Sequence, residues 1–360
     1  MPLFKWDLCT SEDKIAELAS VVEGASRRRI LILCHNNPDP DTMASAFGLQ
    51  FLLSKKFNVR STLGYGGVVT RAENQAMVRR LRIKMTQMSR VKPHQYYAIA
   101  MVDAQPGTGN NLCPRGRMAP MIVIDHHPLR KASLKADFHD IRPEYGATST
   151  IIAEYIAAAE LTPTRSLANA LLYGIKTDTD SLVRGASRAD FLAFRYLFPF
   201  TNPRVVGLIE KPCLSVEYFQ DYHRGLTNAT LYKDVAVSWL GETHAGAIIP
   251  ELADLLLRIE GVSSVLCFGT SDNLLIMSLR STARLHDAGK VIRRLVGKSG
   301  AAGGHSRMAG GQIPLGGMSA EEQARLPERL VCKFLKIMGR DGVHPRPLVN
   351  TDPDEEKIPN

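Results

Sequence analysis

Short apolar runs that stop abruptly at an acidic or imidazole side chain are the strongest constraint on this fold. Ile30-Leu31-Ile32-Leu33-Cys34 leads straight into His35-Asn36-Asn37-Pro38-Asp39-Pro40-Asp41. Tyr96 to Val102 ends in Asp103, and Met121 to Ile124 ends in Asp125. Unbroken apolar runs this short predict strands buried on both faces, as in a parallel sheet. Between them, helical spacing predicts helices over 12–26, 43–54 and 70–81, with a further strand over 57–63. Alternating strand and helix define an α/β fold with a mostly parallel sheet. Ligands bind such sheets just beyond the carboxyl ends of the strands, where these polar side chains stand.

The rest of the chain fits a second domain. Helices are expected over 148–160, 165–177 and 188–199, closing a catalytic domain over 1–190. A helical linker over 191–230 carries Pro203 and Pro212 without β-α alternation. A smaller α/β C-terminal domain follows over 231–345, with strands near 234–240, 263–269 and 274–280, a helix near 287–297 and a glycine-rich segment at 300–311. The proline-rich, then acidic 346–360 predicts a mobile tail.

Composition excludes several classes. The six cysteines form no CxxC pair, which argues against a disulfide framework or a structural zinc site and suits a reducing cytoplasm. The N-terminus lacks the apolar core of a signal peptide, and no apolar run approaches membrane-helix length. The expectation is a cytoplasmic protein with no membrane association and no obligate protein partner; homodimerisation stays open. Lys and Arg exceed Asp and Glu by 45 − 36 = 9, including Arg27-Arg28-Arg29 just before the first strand, a surplus compatible with a nucleotide or RNA ligand.

Four segments carry chemistry: His35 to Asp41, Asp103, Asp125-His126-His127, and Asp178 with Asp180 close behind it. Singly, each has an ordinary reading: Asp39 and Asp41 as turn residues, Asp103 as a cap, Asp178 and Asp180 as solvated acids. Jointly, acids and imidazoles gathered at one sheet edge point to divalent cations. Carboxylate oxygens suit Mn²⁺ and Mg²⁺, and added imidazole shifts the balance towards Mn²⁺. Two such ions can share a carboxylate and clamp a phosphate ester.

With these motifs in place, the chain resembles the DHH phosphoesterase family, whose name-giving triplet is Asp125-His126-His127. Gly303-Gly304-His305-Ser306-Arg307-Met308-Ala309-Gly310-Gly311 resembles the signature of the DHH-associated C-terminal domain. The resemblance implies that His35 and Asp39 hold one metal and Asp41 the other, that Asp103 bridges both, and that His126 and Asp178 complete the second site. It implies a substrate-facing, catalytic role for His127, and substrate binding by Arg280, Ser281, Gly303, Gly304 and His305. Two departures stand out: Asp180 occupies a position where relatives carry a smaller residue, and Met308 interrupts a run of small residues. The two-domain layout resembles enzymes of short substrates. It implies a two-metal hydrolase of short oligoribonucleotides or dinucleotides, releasing nucleoside monophosphates, with 3′-phosphoadenosine 5′-phosphate as a further substrate class. The alternatives are a RecJ-like exonuclease, for which the chain looks short, and a non-catalytic nucleotide- or tRNA-binding module.

Overall fold

The computed structural model describes residues 6–25, 28–113, 119–282, 287–304 and 306–349. The chain divides into two compact units, Met1–Pro212 and Cys213–Asn360.

The first unit opens with α1 (Cys9–Val22), then β1 (Arg29–Leu33), α2 (Pro40–Lys56), β2 (Arg60–Tyr65), α3 (Ala72–Leu81) and β3 (Met85–Gln87). It continues with β4 (Ala98–Val102), β5 (Ile122–Asp125) and β6 (Phe138–Ile141). Four helices close it: α4 (Thr148–Ala158), α5 (Arg165–Asp178), α6 (Arg188–Leu197) and α7 (Pro203–Glu210). The six strands run in the order β3-β2-β1-β4-β5-β6, every neighbouring pair parallel. Chain direction across the sheet reverses between β1 and β4. Such a switch point opens a crevice beyond the two carboxyl ends, the usual ligand position in this architecture.

The unbroken apolar runs do what they predict. Ile30 and Ile32 pack into the core built with the helices, whereas Leu31 and Leu33 pack on the other face with Ile99, Met101 and Val123. Burying each such side chain contributes roughly 1.5–3 kcal/mol. Helix α2 starts as its sequence dictates: Asp39 caps it by accepting from Thr42 N at 2.9 Å, and Pro40 takes the first helical position. Glycine inside a helix costs about 1 kcal/mol relative to alanine. Gly48 and Gly174 accept that cost for close approach, since a Cβ at Gly48 would meet Ile152 Cγ2 at 2.4 Å and one at Gly174 would meet Ser149 Oγ at 2.4 Å. The start of α2 is thereby pressed against α4 and α5.

A buried ion network holds the segment between β6 and α4. Arg142 donates from Nε to Asp140 Oδ1 at 3.0 Å and from Nη1 to Glu154 Oε2 at 2.6 Å. Tyr155 Oη donates to Asp140 at 2.5 Å, and Ser11 Oγ donates to Glu154 Oε2 at 2.8 Å. Arg142→Met strands two buried carboxylates without their cation and is expected to cost about 3–5 kcal/mol. The midpoint of urea unfolding, with an unchanged slope, reads this loss.

The second unit comprises α8 (Val216–Thr227), β7 (Thr230–Tyr232), β8 (Val235–Glu242), α9 (Ile248–Leu256), β9 (Ser264–Ser271), β10 (Leu274–Ser281), α10 (Ala288–Val296), β11 (Ala301–Gly304), β12 (Met308–Pro314), α11 (Ala320–Met338) and β13 (Arg346–Pro347). Its seven strands run β11-β12-β10-β9-β8-β7-β13, with β8 and β9 parallel and the other pairs antiparallel. Alternation along β8 sends Val235 and Val237 towards the α10–α11 face, and Ala236 and Leu240 towards the α8–α9 face.

The stretch 191–230 is shared between the units: α7 belongs to the first and α8 to the second. The start of the expected tail needs correction. Arg346 and Pro347 pair with Leu231 and Thr230, and Leu348 N donates to Ala229 O at 2.8 Å, so an edge strand anchors it. Positions 350–360 lie outside the described residues. Among the described residues, no helix is long and apolar enough to cross a membrane.

Candidate metal centre

All six side chains expected to hold cations meet at the β1/β4 switch point, drawn from five elements. His35, Asp39 and Asp103 form one group of potential ligand atoms, and Asp41, His126 and Asp178 form another, each within 4.8 Å. Asp103 stands at the carboxyl end of β4 and faces both. Its Oδ2 is 3.7 Å from His35 Nε2, and its Oδ1 is 3.6 Å from His126 Nε2. His35 Nε2 lies 3.4 Å from Asp39 Oδ2, and His126 Nε2 lies 3.1 Å from Asp178 Oδ2.

Local structure aims each ligand. Asp103 adopts φ +53°, a left-handed conformation that aspartate tolerates better than most residues. Thr42 donates to its Oδ2 and Thr148 Oγ1 to its Oδ1, the latter at 3.0 Å. Asp41, 1% exposed, receives the first amides of α4, Thr148 N at 2.7 Å and Ser149 N at 2.8 Å. Two buried amides at a helix N-terminus suit a carboxylate. Asp39 divides its work, capping α2 with one oxygen and turning the other to His35, so a capping residue is also placed among the potential ligands. His35 Nδ1 engages Asn36 O at 2.9 Å and His126 Nδ1 engages Tyr145 O at 3.1 Å. With Nδ1 donating to a carbonyl, each ring presents Nε2 as a lone pair once that nitrogen gives up its proton.

This donor set fits divalent cations. His126 Nε2 is buried with no aligned hydrogen-bond partner, 3.1 Å from Asp178 Oδ2 and 3.6 Å from Asp103 Oδ1, a setting that suits an imidazole ligating a cation. Burial alone would lower both imidazoles; instead the charges of Asp39 and Asp103 lift His35 to about 10, and Asp178, Asp103 and Asp41 lift His126 to about 11. Burial and the nearby Asp39 charge push Asp103 up to about 7, and burial with Asp103 raises Asp41 well above the carboxylate range. Carboxylates gathered this closely around two imidazoles favour added positive charge at the site.

The last two members of the triplet work as a pair. His127, its side chain 55% exposed, engages Asp125 Oδ1 from Nδ1 at 2.9 Å, while its Nε2 is not tied to that pair. The hydrogen bond to Asp125 raises His127, whereas burial of Asp125 is outweighed by bonds from His127 and Gln105 that hold its carboxyl low. Gln105 is the position that sequence reasoning misses, and Asp125, part of the triplet, is given no separate role by it. Gln105 is buried and fully engaged: Nε2 donates to Asp125 Oδ2 at 2.8 Å, and Oε1 accepts from Arg130 N at 2.7 Å and Ser133 Oγ at 2.8 Å. Its place two residues beyond Asp103 was the available signal. Asp180 is exposed on a left-handed turn beyond α5 and belongs to neither group of ligands.

Of the expected substrate-binding residues, Ser281, Gly303 and Gly304 lie at one end of the second sheet. Gly303 and Gly304 pair with Gly310 and Ala309, and Ser281 N donates to Arg307 O at 2.9 Å beside them. A Cβ at Gly289 would meet Gly304 O at 2.6 Å, so the first turn of α10 also lies there. Arg280 is buried; its Nε pairs with Asp254 and its Nη1 donates to Ser278 Oγ at 2.8 Å. Ser281 Oγ lies 3.0 Å from Ser264 Oγ. His305 lies outside the described residues.

Fold and site together define a two-domain α/β protein with a carboxylate–imidazole cluster able to hold divalent cations, and comparison with known proteins identifies its family. Residues 29–175 match the N-terminal domain of the DHH family and residues 233–331 match the DHHA1 domain. The chain belongs to the DHH family, whose members are metal-dependent hydrolases. Protein MJ1633 of Methanocaldococcus jannaschii is 33% identical over 323 residues, covering 88% of this chain and 66% of that protein, so the chain spans just under two thirds of this relative. An exopolyphosphatase-related protein from Bacteroides fragilis shares the fold with a TM-score of 0.67 at 16% identity, over 91% of this chain and 98% of that one. RecJ of Thermus thermophilus, solved with Mn²⁺, shares it with a TM-score of 0.53 at 15% identity, over 93% of this chain and 56% of RecJ.

Proposed function

We propose that the protein is a two-metal phosphoesterase that hydrolyses short oligoribonucleotides or dinucleotides to nucleoside monophosphates, with Mn²⁺ as the working cation. The observation that carries this reading is the pair of ligand groups meeting on Asp103. Mn²⁺ bound in RecJ, a protein of the same fold, supports the choice of metal. Divalent cations held by His35, Asp39, Asp41, Asp103, His126 and Asp178 would acidify a water and offset charge on the phosphoryl oxygens.

The chain's own groups do the rest. Asn36 and Tyr145 carbonyls fix the two ligand rings, Thr42 and Thr148 fix Asp103, and the α4 amides fix Asp41. Asp125 holds His127 by Nδ1 and raises its pKa, so the imidazole keeps a proton and offers it at Nε2 to the departing oxygen. In this reading, Ser281, Gly303, Gly304 and His305 contribute to substrate binding. The six cysteines are free, which suits a reducing cytoplasm.

Gln105→Leu is expected to lower kcat about 10–100-fold, since Asp125 loses the donor that orients it. Cation stoichiometry should stay unchanged, because neither residue is placed as a ligand. Hydrolysis kinetics across a Mn²⁺ titration separate the two.

A substrate panel tests the function: pApA, 3′-phosphoadenosine 5′-phosphate and an RNA of about 24 nucleotides, each with purified protein and Mn²⁺. The proposal expects pApA to turn over fastest. Fastest turnover of the long RNA would favour a RecJ-like exonuclease, and no turnover at all a binding module.

A further inference from the structure

The strands of the first sheet begin at the edge opposite the metal centre, and that edge holds a cavity of about 460 Å³ lined by Arg28, Arg29, Arg60, Gln95, Tyr96 and Tyr97. Arg29 and Arg60 are register partners on adjacent parallel strands. Neighbouring strands lie about 4.8 Å apart, and like charges placed directly side by side are destabilising. Among the described residues, no carboxylate forms an ion pair with Arg28, Arg29 or Arg60. Three unneutralised guanidinium groups around one cavity are accounted for if an anion completes it.

The surroundings narrow the anion's identity. The Arg28 guanidinium lies over the Tyr97 ring, 4.6 Å from its centroid, and Tyr97 is 40% exposed. Tyr97 N donates to Arg29 O at 2.8 Å, which clamps this aromatic segment to β1. Positive charge continues along the edge. Helix α3 joins two parallel strands, so its C-terminal end, carrying Arg79 and Arg80, returns to the edge where strands begin. Residues 60–92 hold eight Lys or Arg against one acid, Glu73. Guanidinium forks match phosphate oxygens, and a tyrosine face beside a basic track stacks bases regardless of sequence. An anionic membrane surface would favour apolar side chains for insertion, and this cavity has no aliphatic residue in its lining.

We propose that this edge is a second, non-catalytic binding site for single-stranded nucleic acid, with phosphates on Arg28, Arg29 and Arg60 and a base against the Tyr96–Tyr97 wall. It lies a full strand length from the cation centre and holds a strand without cleaving it. The inference does not depend on hydrolysis, because binding can be measured with divalent cations chelated.

Fluorescence anisotropy of a labelled oligouridylate of about 15 nucleotides, with the full-length protein in EDTA across a salt series, tests it. Arg28→Gln with Arg60→Gln should weaken binding at least about tenfold at low salt. It should also flatten the log–log salt dependence by about 1.4, at about 0.7 per phosphate contact on a single strand. Tyr97→Leu should weaken binding about fivefold or more with the salt slope unchanged. Turnover of pApA with Mn²⁺ should match the parent in each variant, a control for folding. Three results would overturn the proposal: no binding by the parent, equal binding by the double variant, or tighter, Arg28- and Arg60-dependent binding to phosphatidylserine vesicles than to RNA.

Discussion

Asp103→Ala should leave the chain folded, eliminate cation binding at both positions and lower phosphoester turnover by on the order of 10⁴-fold in kcat. One carboxylate faces both ligand groups, with Oδ2 towards His35 and Oδ1 towards His126, so removing it disables both. Stability should change little because two effects oppose each other. Alanine at φ +53° costs about 1–2 kcal/mol of left-handed strain. Losing a carboxyl raised by burial and by Asp39 relieves desolvation and repulsion, while Thr42 and Thr148 lose their acceptor. Asp103→Asn, which keeps the shape and the left-handed backbone preference but not the charge, should be nearly as inactive. Kinetics across a Mn²⁺ titration, with urea unfolding beside them, measure both effects. Turnover within about tenfold of the parent would remove Asp103 from its shared position.

Cation affinity should climb steeply with pH. Without cations, His35 and His126 are raised to about 10 and about 11, and Asp103 to about 7. A group whose pKa is raised holds its proton up to that pH, so near neutrality both imidazoles are protonated and Asp103 is partly so. Cation binding must expel these protons, and each one displaced contributes a tenfold rise in apparent affinity per pH unit. Between pH 6 and 8 the apparent Kd for Mn²⁺ should therefore fall by at least about tenfold per unit, with proton release on binding. Isothermal titration calorimetry in buffers of different ionisation enthalpy counts those protons. A Kd that is flat or rises with pH would mean that the raised pKa values belong to a structural ion network instead.

The sequence made the parallel sheet and its ligands legible because both leave local marks. A strand buried on both faces must be apolar throughout, so Ile30 to Leu33 could not hide, and a ligand on the following turn must be polar and adjacent. His35, Asp39, Asp41, Asp103 and His126 obey that rule, Asp178 ends helix α5 instead, and the structure brings all six together. What escaped depends on contacts between distant segments. Gln105 looks like an ordinary loop amide until the fold sets Asp125, Arg130 and Ser133 around it. The two strands in the glycine-rich segment leave no mark in the sequence because glycine hides alternation. In β12 the inward positions are Ala309, Gly311 and Ile313, and Gly311 is required because a Cβ there would meet Val296 Cγ2 at 2.8 Å. Helix α11 was passed over as well; it carries Pro327 in its interior, against local propensity, and is held by the apolar face of Leu326, Leu330 and Phe334. Arg280, which the resemblance assigns to substrate binding, is instead engaged at two of its nitrogens by Asp254 and Ser278, contacts that no motif reveals.

Anomalous diffraction from a crystal soaked in Mn²⁺ tests the central claim most directly. Two peaks should flank the Asp103 carboxylate, one against His35 and Asp39 and the other against Asp41, His126 and Asp178. A single peak remote from Asp103, or no peak among these side chains at millimolar Mn²⁺ and pH 8, would contradict the account.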